Sequence, residues 1–506
     1  MKSRMNNLQE EKELCENELE LLRIEFRVTF DYARQVEVQV REKFGKAQAV
    51  VGLVMTERVW HSMETIIFGN GEKPKFIGKD YFYSIQGKQN ERCIMFKKEK
   101  DSPSKKGRFL VSYCKQNMYI KLKQNDLFAQ ETLSHIAYYM ENSAIIDAQN
   151  IENYQTGKPL IPTYRVKYSR IIRKKIRGKF RFFVQVALEG PPVPKRKKDG
   201  SFRHTVGEGI VATDIGTQSV AIVTKEKVIL KNLADRTNEK RERKIKLLQN
   251  KLNRSRKATN PNCFNEKGVP IKKMKFQSKK YKKVKNQLNN LHRIMAENRK
   301  FAHNQDANDL RSLGDIFITE KNPIKAWQKR AKKTTVNEKT GKFNKKKRAG
   351  KSILNRSPGY FTSQNQYRFG VTSGSFVTVN MQSFKASQYD HKMGDSNPKQ
   401  LSQRWHIFED GTKVQRDLYS AFLMYCSNEE RTAPNQRLCE ENFELFKQRH
   451  DDCIETLIRE AKEIKNSGIK VFKSNLKNKI FKEKKKDAWF ASLNKTKSEI
   501  ASLITI

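Results

Sequence analysis

One five-residue stretch, Gly190-Pro191-Pro192-Val193-Pro194, constrains this chain more than any other. Its prolines fix φ, remove backbone donors and drive the preceding residue out of the helical region, so no helix or central strand runs through it. The chain is thereby cut into two parts of different texture. Upstream, short β-favouring runs at 81–85, 93–96, 109–113 and 118–122 are split by Gly, Asn, Ser and Pro, the pattern of a small antiparallel barrel or sheet. Helices are predicted over 14–26, 51–68 and 127–141. Strands at 164–168 and 180–188 flank a basic segment, 170–179. Downstream, 209–224 reads as two strands joined by a tight turn, with a third strand at 228–230 and another at 315–319. Between these, 236–300 reads as a helical hairpin broken near Asn260-Pro261-Asn262 and inserted into a sheet domain. The expected class is α+β, multidomain.

Charge narrows the function. Lys and Arg number 103 against 55 Asp and Glu, a net +48, which argues against a small-metabolite enzyme and for a polyanionic partner. With 37% hydrophobic and 10% aromatic residues, this is no disordered basic tail. Residues 1–50 carry 9 Lys/Arg and 10 Asp/Glu, so the excess lies downstream. The most basic run, 325–351, has twelve Lys/Arg against one Glu and reads as a phosphate-seeking loop. The seven cysteines form no C-x-x-C, so neither a disulfide framework nor a zinc ribbon is written. No signal peptide and no apolar run near the ~20 residues of a membrane span is seen. The expectation is a cytoplasmic, nucleoid-associated bacterial protein that does not engage membranes.

Three carboxylates stand out, two at the ends of apolar strands and one at the start of a helix. Asp214 closes Ile210-Val211-Ala212-Thr213 before Gly216, and Glu320 closes Ile316-Phe317-Ile318-Thr319. Asp417 lies at the start of a helix whose stripe is Leu418, Ala421, Phe422 and Tyr425. Two strand-borne acids and one helix-borne acid, in the order Asp, Glu, Asp, resemble the catalytic set of RNase H-like nucleases. In that fold the strands bearing the first two acids are neighbours. Carboxylates ~4 Å apart repel by about 4 kcal/mol at an effective dielectric of ~20. Divalent cations relieve this, and an oxygen-only donor set selects Mg²⁺ or Mn²⁺. Two such ions can activate water and stabilise the leaving oxygen of a phosphodiester.

Further stretches are similar to the TnpB family of transposon-encoded RNA-guided nucleases, and to the miniature type V CRISPR effectors related to it. They are Arg177-Gly178-Lys179-Phe180-Arg181-Phe182-Phe183-Val184-Gln185, Thr213-Asp214-Ile215-Gly216-Thr217-Gln218, residues 317–322, Lys385-Ala386-Ser387-Gln388-Tyr389 and residues 414–422. Upstream, Phe76, Ser84 and Gly87-Lys88-Gln89-Asn90 resemble the wedge region of clostridial-type members. The resemblance implies a helical recognition part (1–70), a wedge β-barrel (71–192), an RNase H-like RuvC domain (205–435) and a C-terminal helical basic tail (436–506). It further implies Asp214, Glu320 and Asp417 as catalytic, metal-holding acids. A guide RNA would be bound and double-stranded DNA cut beside a short adjacent motif, with a monomer favoured. Arg177, Lys179, Arg181, Lys345, Lys346, Lys347 and Arg348 are candidate RNA or DNA contacts.

The chain departs from that family in two places. Residues 321–416 lack the cysteines of the usual zinc ribbon, so no zinc is expected, and His391 and His406 are read as solvent-facing or structural. The N-terminus opens with an acidic helix rather than a basic strand. Among weaker signals, His303 reads as a helix-surface residue, Arg416 as a phosphate clamp or a charge balance for Asp417, and Trp60, Tyr81, Phe82, Tyr83 and Trp327 as core or base-stacking aromatics. The competing functions are an RNase H-fold transposase or resolvase, for which no DNA-end-binding module is visible, and a catalytically silent guided regulator, against which the three intact acids argue.

Overall fold

The computed structural model describes residues 17, 18, 20–44, 48–67, 83–99, 108–158, 160, 161, 163–189, 196, 197, 199–234, 239–264, 271, 276–328, 350–400, 402–460, 462–464 and 466–471. Expectations at Leu14, Phe76, Tyr81, Phe82, the 190–194 break, 345–348 and the part of the basic tail beyond 471 lie outside these residues. The chain divides into two units, Met1–Pro192 and Val193–Ile506.

In the first unit the helices Phe30–Phe44 and Ala49–Ile67 pack on one another, with Phe30 edge-on to Trp60 at 6.1 Å. The first of these was not foreseen, because its apolar positions are interleaved with charge. Six strands follow: β1 (Ser84–Gln86), β2 (Ile94–Glu99), β3 (Arg108–Tyr113), β4 (Gln116–Tyr119), β5 (Val166–Ile176) and β6 (Lys179–Leu188). Among the described residues they form two three-stranded antiparallel sheets, ordered β1-β5-β6 and β2-β3-β4. Ile94, Phe96, Phe109, Val111 and Val166 share a core with Ile136 and Ala137 of a long helix. That helix spans Leu127–Gln155, but its backbone leaves helical geometry at Asn142 (φ −122°, ψ 20°), one residue past the predicted end at 141, and a second helical stretch continues beyond the kink. No Gly or Pro interrupts it before Gly157.

The basic segment 170–179 is not a spacer between strands. It is the distal arm of a hairpin that turns at Arg177-Gly178, both at positive φ (50° and 84°), the geometry of a tight two-residue turn. Cross-strand pairing makes strand geometry favourable despite the charge: Arg173 lies over Phe180 at 4.4 Å, and Lys174 over Phe183 at 5.3 Å.

The second unit is built on a mixed five-stranded sheet. Its strands are β7 (Ile210–Ile215), β8 (Ser219–Thr224), β9 (Val228–Asn232), β10 (Ile316–Glu320) and β11 (Ser375–Val379), ordered β11-β10-β7-β8-β9. The first three form antiparallel hairpins, whereas β10 runs parallel to both β7 and β11. The β9–β10 crossover contains the helices Glu239–Thr259 and Lys279–Arg311. Alternation along the strands feeds two cores. Val211, Ile215, Ile222 and Phe317 meet Leu310, Phe361 and Phe369 on one side. Ala212, Ala221, Val223 and Ile318 meet Leu418, Phe422, Phe443 and Phe446 on the other. The helix Gln436–Arg459 is therefore part of the sheet's own core, which corrects its expected place in a separate C-terminal tail. Gly314 lets β10 begin close to β7, since a Cβ there would sit 2.3 Å from the Gly209 carbonyl oxygen. The buried Arg311 guanidinium ties these strand starts together through the carbonyls of Gly207, Gly314 and Thr372. Among the described residues, no helix is long and apolar enough to cross a membrane.

Candidate active site

Strand period decides which way the acids face. Asp214 is two residues beyond Ala212 and Glu320 two beyond Ile318, so both belong to the face that packs under the helix Arg416–Tyr425. Parallel register pairs Thr213 with Thr319. The next residue on each strand, Asp214 and Glu320, therefore emerges at the same end of two adjacent strands. The helix seats Leu418, Ala421 and Phe422 on that face and carries Asp417 in its first turn. All three acids are partly exposed, with the Asp417 side chain 20% accessible.

The charges are poorly compensated. Burial raises the Asp214 carboxyl well above the ordinary carboxylate range, and the charges of Glu320 and Asp417 raise it further, with Arg416 opposing. Burial pushes Glu320 up to about 7. Arg416 stands 3.6 Å from an Asp417 oxygen, yet its guanidinium donates to the carbonyls of Gln403 (2.8 Å) and Gln400 (3.4 Å). It is a charge balance already committed to backbone, not a free phosphate clamp. One turn along, the buried Ser420 hydroxyl has no partner among the described residues.

An oxygen-only, mutually repelling donor set suits Mg²⁺ or Mn²⁺ chemically. It is not a finished cage: among the described residues, no group of three or more His, Cys, Asp or Glu is arranged to hold a metal ion. Such ions commonly take few protein carboxylates and complete their shell with water and substrate phosphate oxygens.

The other predicted residues are dispersed or differently placed. Arg177, Lys179 and Arg181 are exposed on the β5–β6 hairpin. His303 is fully buried rather than on a helix surface, because Nε2 reaches the Arg356 carbonyl oxygen at 2.8 Å and the ring packs on Phe361. Trp60 is partly buried beneath the Arg23 guanidinium, Trp327 is partly buried, and Tyr83 is exposed.

His391 and His406 are structural and wholly internal, which corrects the solvent-facing alternative. Sequence reading missed their partners. His406 Nε2 lies 2.9 Å from Asp390 Oδ2, and its Nδ1 meets Lys399 Nζ. Burial, with Lys399 alongside, pushes His406 down to about 4, and burial pushes Lys399 down to about 8. A neutral His406 thus accepts from Lys399 and donates to Asp390. His391 Nδ1 contacts the Tyr419 hydroxyl at 2.7 Å, and Tyr419 stacks on His406 at 4.7 Å. This hydrogen-bonded clasp fastens the segment 389–407 to the helix bearing Asp417. A sequence signal existed only for Tyr419, one position beyond Leu418 of the apolar stripe.

No protein-family model matches the chain, and no curated protein matches it. Among solved structures it is similar to a Cas12f1–sgRNA–target DNA complex determined by cryo-EM (TM-score 0.37, 11% identity, 77% of this chain and 73% of that chain covered). It is also similar to a CRISPR-Cas12f ternary complex determined the same way (TM-score 0.27, 11% identity, 74% of this chain and 69% of that chain covered).

Proposed function

We propose that this chain is an RNA-guided DNA endonuclease of RNase H-like type, with one hydrolytic centre at Asp214, Glu320 and Asp417. The observation that carries the reading is the parallel β7–β10 register, which delivers Asp214 and Glu320 together under the helix of Asp417. A sheet has no structural need for three carboxylates gathered at one end, and perturbed acids so placed mark functional sites. Asp214, Glu320 and Asp417 would hold Mg²⁺ or Mn²⁺, which when bound supplies activated water and charge stabilisation at a phosphodiester. The chain's own contribution is to keep the acids on three rigid elements and to gather phosphates with its +48 charge. The guided character rests on the motif resemblance and on that charge, with Arg177, Lys179 and Arg181 as proposed backbone contacts.

The protein purified from its host should carry one discrete RNA, and sequencing that RNA should identify a constant scaffold with a variable end. A random RNA background would overturn the guided reading. Duplex DNA affinity should fall steeply with salt, with a slope of log K on log salt approaching about −9 if roughly ten phosphates are neutralised.

A further inference from the structure

The helix bearing Asp417 starts at a point held from two sides. On one side, Arg416 donates its backbone N–H to the Arg404 carbonyl at 3.0 Å and its guanidinium to the Gln403 carbonyl at 2.8 Å. On the other, fully buried Gln415 caps the helix, its Oε1 accepting the Leu418 N–H at 2.8 Å. The backbone N–H of Gln415 itself donates to Nε2 of His450, also at 2.8 Å.

His450 is 1% exposed and comes from the helix Gln436–Arg459, 35 residues away in sequence. Its ring is set between Trp405 (6.2 Å) and Phe446 (5.9 Å). Nδ1 lies 2.8 Å from Asp451 Oδ1. These contacts define one tautomer: Nδ1 carries the proton and donates to Asp451, leaving the Nε2 lone pair for Gln415. An apolar side chain would fill the same aromatic slot but offer no acceptor to a buried amide two residues before Asp417.

We propose that His450 is a positioning residue for the acid site. Through this acceptor it fixes where the helix begins, and so where Asp417 stands relative to Asp214 and Glu320. The consequence for cleavage rests on the function proposed above; the hold on the helix does not.

His450→Leu removes the acceptor and keeps the bulk, whereas His450→Gln returns an acceptor on a flexible stem. Each full-length, RNA-loaded variant is compared with wild type by hydrogen exchange over 413–425, by target-DNA affinity, and by cleavage rate at saturating DNA. His450→Leu should exchange faster at 415–418 and cleave at least about tenfold more slowly at unchanged affinity, as expected for a misplaced catalytic group. His450→Gln should return both readouts close to wild type. Equal exchange in the two variants, or full cleavage by His450→Leu, would overturn the proposal. If exchange separates the variants but wild type itself never cleaves, the hold on the helix stands and the nuclease reading falls.

Discussion

The helix Arg416–Tyr425 separates two polar regions that handle charge in opposite ways. On its sheet-facing side, burial and then the charges of Glu320 and Asp417 raise the proton affinity of Asp214, with Arg416 opposing, and burial raises that of Glu320. On its other side, Asp390, His406 and Lys399 form a continuous chain from cation through neutral ring to carboxylate, and His391 is satisfied by Tyr419. Burial penalises charge in both regions, so burial alone does not explain the difference. Each group in the clasp has its partner in the chain, whereas among the described residues Arg416 is the cation that opposes the charge of the three acids. Stability is held in the clasp and forgone in the acid cluster, the trade that the proposed function requires of a site left for an external cation and a phosphate.

Breaking the clasp should give the largest stability effect. Asp390→Ala leaves the His406 N–H unpaired and the Lys399 charge uncompensated in the interior, and should destabilise the protein by about 3 kcal/mol in denaturant unfolding. A loss below about 1 kcal/mol would mean the clasp is not a structural element.

Neutralising the acid cluster should do the reverse. Glu320 titrates near 7 in the folded chain against 4.5 ordinarily, so between those values the native state binds more protons than the unfolded one. Stability contributed by this group therefore falls as pH rises across that window. Glu320→Gln should stabilise the metal-free protein by about 1–3 kcal/mol above pH 7, and the gain should vanish near pH 4. A destabilised variant at pH 8 would contradict the picture of uncompensated charge.

His406 has the opposite sign. Its folded value of about 4 lies below the ordinary 6.5, so the unfolded chain binds more protons between them and stability is lost as pH falls. Unfolding curves of Glu320→Gln should thus show a steeper acid loss between pH 6.5 and 4 than wild type, in which the two regions partly cancel. The smallest effect is expected from chelation. In buffer free of Mg²⁺ and Mn²⁺, EDTA should leave the melting temperature unchanged, because the clasp groups are joined to one another by hydrogen bonds where a zinc ribbon would otherwise be sought; a fall would reveal a structural zinc.

The positions of Asp214 and Glu320 were legible because each closes an apolar run, with alternation along Ile210–Ile215 and Ile316–Glu320 giving their face, and that of Asp417 because it opens an amphipathic helix. The β7–β10 pairing itself was not written locally, since 105 residues separate Thr213 from the Ile318 carbonyl it bonds. The hairpin's basic arm was misread because cation–aromatic pairing needs the opposite strand to be in place. The clasp was less legible for a related reason: Asp390, His391 and His406 look like surface polar residues until contacts spanning 16 and 28 positions bury them. His450 left a clue, sitting on the buried stripe Cys439, Phe443, Phe446 and Leu457, where a histidine needs partners.

The central claim is that one shared site, assembled from three elements, does the cutting. Wild type and Asp214→Ala, each loaded with its RNA, should be given matched target duplex labelled on both strands, in Mg²⁺ and in EDTA. The account predicts that wild type cuts both strands only with the metal, and that Asp214→Ala binds the duplex as well but cuts neither, a loss of at least about 10³-fold. Cleavage of either strand by Asp214→Ala at the wild-type rate would contradict it.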